Sequence, residues 1–206
     1  MPGEIFVITA PSGTGKTTLL KPLMAADARL RFSISYTTRP RRSSEVDGRD
    51  YFFVSREEFR RLRDTGALAE FVEQFGYGYG TSRDWVLDMV RGGGDLIFDL
   101  DSRGARALKR EFSQATLIFI LPPSLTELER RLQGRGGLDP EELARRLANG
   151  RAELKEAHWY DYLVINDDKA TALTQLQAIV AAARCRTSQL WPQLAPRYLS
   201  HTPDSR

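Results

Sequence analysis

Cysteine and histidine are almost absent from this sequence of 206 residues. Cys185 is the only cysteine, and His158 and His201 are the only histidines. An internal disulfide and a zinc site made of several cysteines are therefore excluded, and a histidine-rich metal centre is disfavoured. Because disulfides are rare in reducing compartments, this composition predicts a cytoplasmic protein.

Long apolar runs are missing as well. No stretch of the sequence approaches the ~20 apolar residues that a membrane-spanning helix requires. Residues 1–4 carry no basic group ahead of the first apolar run. We therefore expect neither a membrane partner nor a secretory signal.

Lysine is scarce, with five lysines beside 25 arginines, although the formal net charge is only +3. The planar guanidinium group of arginine suits two-point contacts with phosphate. A general preference for arginine codons in the genome would explain the total equally well, so single arginines need positional arguments. A net charge this small is weak evidence for a nucleic-acid partner, and we expect none.

Short apolar runs alternate with helical patterns along much of the chain. The runs lie at 5–9, 95–101, 116–121 and 162–166, and the helical patterns at 16–27, 102–110, 124–132, 140–155 and 170–186. Pro22 is expected to interrupt or bend the first helix. This alternation predicts an α/β protein with a parallel sheet covered by helices on both faces.

The segment from about 33 to 89 breaks the alternation. It contains short apolar runs at 50–54 and 70–73, a helical pattern at 55–65 and a glycine-rich turn at 76–80. These features predict a small β-rich insertion. We assign 1–32, 84–132 and 153–190 to the core, 33–83 to the insertion, 133–152 to a helical excursion, and the proline-bearing residues 191–206 to a flexible C-terminal tail.

A glycine-rich loop, Ala10-Pro11-Ser12-Gly13-Thr14-Gly15-Lys16-Thr17, follows the first predicted strand and opens a helix. Glycines let backbone N–H groups converge on phosphate oxygens, and the helix N-terminus adds a partial positive charge. Lys16 can bridge the β- and γ-phosphates, and the Thr17 hydroxyl can bind Mg²⁺. The loop predicts a nucleoside triphosphate site, although Ala10 stands where the usual pattern has glycine. It does not distinguish ATPases, GTPases and small-molecule kinases.

A second group of hydroxyls and guanidiniums lies at 35–42. Between Arg29 and Arg63, ten arginines stand against five acids, a local charge of +5. Closely spaced arginines can grip a phosphate through paired hydrogen bonds, as a kinase with a phosphorylated acceptor requires. Composition alone favours a solvated basic loop over such a second phosphate site.

Many segments, in order and in register from about residue 3 to 186, resemble those of guanylate kinases. The resemblance implies an α/β fold of the P-loop NTPase type, in which helices flank a parallel sheet core that carries a small β-rich GMP-binding insertion and a short helical lid. It implies transfer of the γ-phosphoryl group of ATP to GMP in purine nucleotide metabolism, with Mg²⁺ bound alongside ATP, and it leaves open a homo-oligomer. The similar segments are 9–19, 35–39 with Arg42, 45–54, Glu70, 79–82, 99–101, 104–105, 119–124, 130–136 and 164–168.

The resemblance implies which residues bind GMP. Glu70 and Thr81, with Ser35, would recognise guanine, because a carboxylate accepts hydrogen bonds from the adjacent N1–H and N2–H₂ donors that adenine lacks. Without the resemblance, Glu70 would be taken for a surface acid. Asp99 and Asp101 would reach the cleft from the end of a strand and contact guanine or the water shell of Mg²⁺. The GMP phosphate would be held by Ser35, Arg39, Arg42, Tyr51 and Tyr79.

The ATP side follows from the same resemblance. Thr17 would be the metal ligand, and Asn166 would lie near the adenine. Arg135 and Arg146 lie in the lid, where arginines of the family contact the transferring phosphoryl group, so that the implied catalytic set is Lys16, Arg42, Arg135 and Arg146. Alternatively, the lid arginines pair with Glu141 and Glu142. The other implied ATP-binding residues are Ala10, Pro11, Ser12, Gly13, Thr14, Gly15, Lys16 and Thr18.

Three departures from the family pattern keep two alternatives open. Ser43-Ser44 replaces a frequent Pro-Gly, Gly78 replaces a frequent aromatic residue, and Asp101 is followed by Ser102-Arg103. The alternatives are a related module that binds peptides without catalysis, and a kinase for another phosphorylated acceptor. The Gly-Lys-Thr sequence and the lid arginines argue against the first, and Glu70 with Thr81 argues against the second.

Overall fold

The computed structural model describes residues 2–74, 76–134 and 139–199. Its central sheet has five parallel strands in the order β2-β7-β1-β8-β9. These strands are β1 (Ile5–Thr9), β2 (Leu30–Phe32), β7 (Asp95–Asp99), β8 (Thr116–Leu121) and β9 (Tyr162–Ile165). The predicted α/β class and parallel core are confirmed, and β2 is a strand that the sequence patterns did not reveal.

Both faces of the three central strands β7, β1 and β8 are buried, which is why these strands lack a polar–apolar alternation. Phe6 and Ile8 of β1 pack on one side with helices α1 (Lys16–Ala26) and α7 (Lys169–Arg184). Ile5 and Val7 pack on the other side with α3 (Arg83–Arg91) and α4 (Ser102–Glu111). The sheet thus fixes the strand ends, from which the loops of the site depart.

Helix α1 continues through Pro22. The expected interruption is therefore wrong. Leu19, Leu20 and Leu23 are buried against the sheet, and this packing outweighs the cost of the missing N–H.

The insertion is a four-stranded sheet of order β4-β3-β6-β5. Its elements are β3 (Tyr36–Thr37), β4 (Phe52–Phe53), helix α2 (Arg56–Asp64), β5 (Leu68–Gln74) and β6 (Tyr77–Ser82). The glycine-rich segment 76–80, predicted as a turn, belongs mostly to β6. Gly80 lies so close to the neighbouring strand that a Cβ atom there would come within 2.9 Å of the carbonyl oxygen of Glu70. These glycines therefore serve close packing as well as the turn at Gly76, where φ is 77°.

The remaining helices are α5 (Leu125–Gln133), α6 (Pro140–Lys155) and α8 (Thr187–Leu199), with a short 3-10 helix at Ala157–Trp159. The described part of the helical excursion comprises the end of α5 at Gln133, then Gly134, and most of α6, which runs on unbroken to Lys155. Part of the expected tail is also helical, because α8 continues through Pro192 and Pro196. The tail's flexibility and the assigned boundaries stay predictions. None of the helices in the described ranges combines the length and the apolar character that a membrane-spanning helix needs.

Candidate active site

The phosphate loop connects the carboxyl end of β1 with the N-terminus of α1. Gly13 and Gly15 have φ values of 94° and 95°, in the left-handed region that favours glycine. A Cβ on Gly13 would come within 2.8 Å of the Leu132 side chain, and one on Gly15 within 2.6 Å of the Asn166 amide. Among the described residues, no side chain caps the N-terminus of α1, so its first N–H groups remain available to an anion.

Two side chains stabilise this loop through hydrogen bonds to its backbone. The Asn166 side-chain amide donates to the Thr14 carbonyl at 2.6 Å, and Arg131 donates to the same carbonyl at 3.2 Å. Asn166 is buried. Its observed partner is thus the loop itself, and a contact with adenine stays a prediction. The sequence patterns missed Arg131, whose position on α5 gave no sign of this long-range contact.

The Lys16 ammonium forms an ion pair with the carboxylate of Asp99, the last residue of β7. The two side chains are 19% and 32% exposed. A pair this open to solvent can exchange partners at low cost.

A cavity of about 340 Å³ opens between the insertion and the carboxyl end of β7. Its lining brings together residues that the sequence places far apart. The lining includes seven predicted GMP contacts, Ser35, Arg42, Tyr51, Glu70, Tyr79, Asp99 and Asp101.

Glu70 and Thr81 form the buried end of this cavity, with relative exposures of 3% and 0%. The Thr81 hydroxyl donates to Glu70 Oε1 at 2.7 Å, and it lies 3.1 Å from the Ser35 hydroxyl. Glu70 Oε2 is also buried, and it has no hydrogen-bond partner in the described part of the chain. Burial raises the pKa of Glu70 to about 7, against the smaller lowering effect of the Thr81 hydrogen bond.

An unpaired buried carboxylate oxygen costs free energy until a donor reaches it. The geometry therefore fits a ligand that brings hydrogen-bond donors to Glu70. The nearby Asp101 carboxylate raises the pKa of Glu70 further. Asp101 itself caps α4 by accepting from the Gly104 N–H at 2.8 Å and pairs with Arg103.

The predicted phosphate contacts lie at the mouth of this cavity. Arg39 pairs with Glu45 at 2.7 Å, and its guanidinium lies 5.5 Å from the centre of the Tyr51 ring. The rings of Tyr51 and Tyr79 are 6.1 Å apart. Glu45 Oε2 also accepts from the Arg42 backbone N–H at 2.8 Å, so one acid organises both arginines.

Helix α6 brings further charges to the opposite side of the phosphate loop. Glu142 binds Arg146 at 2.7 Å and also pairs with Arg145. The pairing of lid arginines with Glu142 that the sequence left open is therefore observed. Arg135 lies outside the described residues. Arg146 and Ser12 line one cavity of about 270 Å³, in which an anion on the loop would meet the guanidinium.

Glu153 is an acid of the cleft that the sequence patterns missed. It lines the same cavity as Ser12 and a second cavity of about 470 Å³ with Asp101. Burial raises the pKa of Glu153, and the nearby Lys16 ammonium lowers it in part. Its spacing of seven residues from Arg146, which places both on one face of α6, was the available signal.

Comparisons with known proteins agree with this geometry. The sequence model of the guanylate kinase family, described as "Guanylate kinase", matches residues 3–183. The guanylate kinase of Geobacter metallireducens is 43% identical over 95% of this chain and 97% of its own length. That of Nitratidesulfovibrio vulgaris is 49% identical over 85% of each chain. A crystal structure of guanylate kinase from Anaplasma phagocytophilum superimposes with a TM-score of 0.72 and 32% identity, covering 96% of both chains.

A match of this extent in sequence and in structure leaves no doubt about the relationship. The chain belongs to the guanylate kinase family.

Proposed function

We propose that this cleft carries out the guanylate kinase reaction through the residues described above. Membership of the family makes the chain an ATP:GMP phosphotransferase, which converts ATP and GMP into ADP and GDP. The roles of single residues are our proposal. They rest on two anion sites that face each other across the carboxyl ends of the core strands.

On the donor side, the phosphate loop and the N-terminus of α1 bind the phosphates of ATP through backbone N–H groups. Lys16 exchanges Asp99 for the β- and γ-phosphates. Asn166 and Arg131 keep the loop in shape by holding the Thr14 carbonyl. This arrangement needs no movement of the backbone before ATP binds.

Thr17 fits the expected Mg²⁺. Its side chain is exposed on the first turn of α1, next to the place where the phosphates lie. Within the described residues, no group of three or more acidic, histidine or cysteine side chains could hold a metal ion by itself. The Thr17 hydroxyl beside the phosphates suits Mg²⁺, which is usually bound through a few protein oxygens together with substrate phosphates and water. When bound, the ion would neutralise charge on the β- and γ-phosphates.

On the acceptor side, Glu70 accepts hydrogen bonds from guanine N1–H and N2–H₂, and Thr81 and Ser35 complete the contact with the base. Arg39, Arg42, Tyr51 and Tyr79 bind the GMP phosphate. Glu45 keeps Arg39 and Arg42 in place before GMP arrives.

The chemical step is an in-line displacement. A phosphate oxygen of GMP forms a bond to the γ-phosphorus of ATP, while the bond from that phosphorus to the β–γ bridging oxygen breaks and ADP leaves. Arg146 and Lys16 stabilise the negative charge on the transferring group, and Glu142 releases Arg146 as the lid closes. Closure also excludes water as a competing acceptor.

The observation that carries this proposal is the buried oxygen of Glu70, a residue that lines the acceptor cavity, which has no hydrogen-bond partner among the described residues. The test measures ADP formation from ATP and Mg²⁺ with GMP, AMP, CMP or UMP as acceptor. The Lys16→Met variant should lose about a hundredfold to a thousandfold in kcat/KM, as expected when a cation is removed from the developing charge. Lys21→Met, an exposed lysine on the same helix, is the matched control and should match the wild type.

Two results would decide against the proposal. Folded protein that binds ATP but forms no ADP with any acceptor would point to a binding module. ADP formation with equal efficiency for all four acceptors would remove the role given to Glu70. The cytoplasmic location stays a prediction beside this proposal, and the sequence leaves the oligomeric state open.

A further inference from the structure

The sheet of the insertion has a second cavity on the face that points away from the acceptor cavity. The strand register places Glu70, Val72, Tyr79 and Thr81 on one face, which lines or closes the acceptor cavity. Thr38, Glu73 and Gly78 belong to the other face, and they line a separate cavity of about 150 Å³. The two cavities are thus separated by one layer of backbone.

Helix α2 forms the opposite wall of this outer cavity. Phe59 is the buried residue of this helix, and a Cβ atom on Gly78 would come within 2.7 Å of its ring. The Gly78 N–H donates to the Thr38 hydroxyl at 2.8 Å. Glycine at position 78 therefore lets the helix lie close to the strand while the cavity stays open beside Phe59.

The outer cavity is strongly basic. Arg56, Arg60 and Arg63, at helical spacings of four and three, line it together with a single acid, Glu73. Arg63 approaches Glu73 only to 3.9 Å, and Arg56 donates to the Gly76 carbonyl at 3.1 Å. Arg60 has no hydrogen bond or ion pair with any residue in the described ranges.

Another arginine of the same helix, Arg61, serves as a comparison because its guanidinium pairs with a carboxylate. Arg61 donates two hydrogen bonds to Glu58, at 2.7 and 2.8 Å, and does not line the cavity. Within the described ranges, Arg63 pairs with Asp64 at 2.9 Å and approaches Glu73 to 3.9 Å, whereas Arg56 and Arg60 have no carboxylate partner. The charges of Arg56 and Arg60 are thus without a paired acid in the described part of the chain.

We propose that this outer cavity is a second anion site, which binds the phosphate end of a phosphorylated ligand between Arg56, Arg60 and Arg63. Guanidinium groups in such an arrangement form paired, charge-assisted hydrogen bonds with phosphate oxygens. The volume is below the range of about 300–1,000 Å³ that is usual for whole small-molecule ligands. A phosphate or diphosphate group fits inside, while a nucleoside attached to it would remain outside.

The test uses the full chain with its catalytic cleft already filled. A bisubstrate analogue, in which a polyphosphate chain joins adenosine to guanosine, is first titrated to saturation. This step rests on the proposed function, and failure of the analogue to bind would be seen before any probe of the outer cavity is added. Inorganic pyrophosphate is then titrated by calorimetry into wild type, into the double variant Arg60→Gln/Arg63→Gln, and into the matched control Arg61→Gln.

We expect one additional pyrophosphate per chain in the wild type and in Arg61→Gln. The double variant should bind it at least about tenfold more weakly, because charge-assisted hydrogen bonds are lost. Unchanged thermal unfolding of the double variant would show that it is folded. Absence of pyrophosphate binding in the wild type, or equal affinity in all three proteins, would overturn the proposal. An equal loss in Arg61→Gln would also overturn it, because the effect would then be one of general charge.

Two further probes identify the source of the anion. ADP is titrated under the same conditions. If the outer cavity takes a nucleotide, ADP should bind more tightly than pyrophosphate, and if it takes an inorganic anion, the two should bind equally well. Either result supports a phosphate site. An RNA oligonucleotide without terminal phosphates that displaces pyrophosphate would contradict the proposal in favour of a nucleic-acid surface.

Discussion

Strand β7 begins and ends with an aspartate, and the two have opposite environments. Asp95 is fully buried and accepts hydrogen bonds from the Glu4 N–H and from the Arg184 side chain, both at 2.7 Å. Asp99, four residues later, is about a third exposed and pairs with Lys16. Aspartate is therefore a buried hydrogen-bond acceptor at the amino end of this strand and a partly exposed ion-pair partner at its carboxyl end.

The difference separates structure from function in this fold. The amino end of the sheet is closed by an ionic cluster in which Arg184 of α7 also binds Asp27 at the end of α1 at 2.6 Å. This cluster joins β1, β7 and two helices, and nothing in the reaction needs to disturb it. At the carboxyl end, by contrast, the proposed mechanism requires the pairs of Lys16 with Asp99 and of Arg146 with Glu142 to open during turnover. The proposal thus assigns stability and catalysis to different ends of the sheet.

The largest effect on stability is expected at the amino end. Asp95→Asn leaves part of the Arg184 charge buried without its partner, so the free energy of unfolding should fall by about 3 kcal/mol. Urea denaturation measures this value. The comparison would fail if Asp99→Asn, measured in parallel, were equally destabilising.

At the carboxyl end, Asp99→Asn should act on the reaction instead. If Asp99 contacts guanine or the water shell of Mg²⁺ once Lys16 has left it, the substitution removes a charge-assisted contact from the substrate complex, so kcat/KM with GMP should fall by about tenfold to a hundredfold. Its free energy of unfolding should change by less than about 1 kcal/mol, because the pair is partly exposed to solvent. Steady-state kinetics beside urea denaturation checks both values. Normal kinetics combined with lost stability would reverse the assignment of the two ends.

A pH dependence should distinguish Glu70 from the acids at the amino end. Its pKa is raised to about 7, and in the role proposed for Glu70 the carboxylate form accepts from guanine. The KM for GMP should therefore fall by up to about tenfold as the pH rises from 6 to 8. Since the GMP phosphate also titrates, the matched control is the profile of Glu70→Gln, which should lack this contribution. Identical profiles would contradict the role of Glu70.

The same raised pKa affects the stability of the ligand-free protein. Between the ordinary pKa of about 4.5 and the folded-state value near 7, the folded protein binds the proton that the unfolded chain has released. The Glu70 contribution to stability should therefore decrease across this pH window, by roughly 1.4 kcal/mol per pH unit at most. Glu70→Gln should reduce the overall slope, to which Glu4 and Glu153 also contribute because burial raises their pKa values. Thermal unfolding at pH 5 to 8 tests it, and a slope of opposite sign would show that Glu70 ionises easily in the folded state.

Much of the core could be predicted from the sequence because each buried strand is an unbroken apolar run. The phosphate loop was equally clear, since its glycines and Lys16 follow such a run. Strand β4 lies within the predicted apolar run 50–54, whereas β3, of two residues, is too short to leave a pattern, and β6 resembles a turn because its glycines serve close packing. Local propensity cannot distinguish these cases.

Long-range partners were the other gap. Nothing near Asp95 indicates Arg184, which follows 89 residues later, and nothing near Thr14 indicates Arg131. The predicted residues around Glu70 do line one cavity, but their assignment came from resemblance to a family. Their role is supported by Glu70 Oε2, which has no hydrogen-bond partner among the described residues. Only the three-dimensional structure reveals this.

The most direct test of the account is the acceptor specificity of Glu70→Gln. With ATP and Mg²⁺, its kcat/KM for GMP should fall by about a hundredfold, because a charged acceptor of two hydrogen bonds is lost, while AMP, CMP and UMP remain poor acceptors. The exposed Glu57→Gln on α2 is the control and should match the wild type. A Glu70→Gln variant that phosphorylates GMP with unchanged efficiency and selectivity would contradict the central claim that this buried carboxylate recognises guanine.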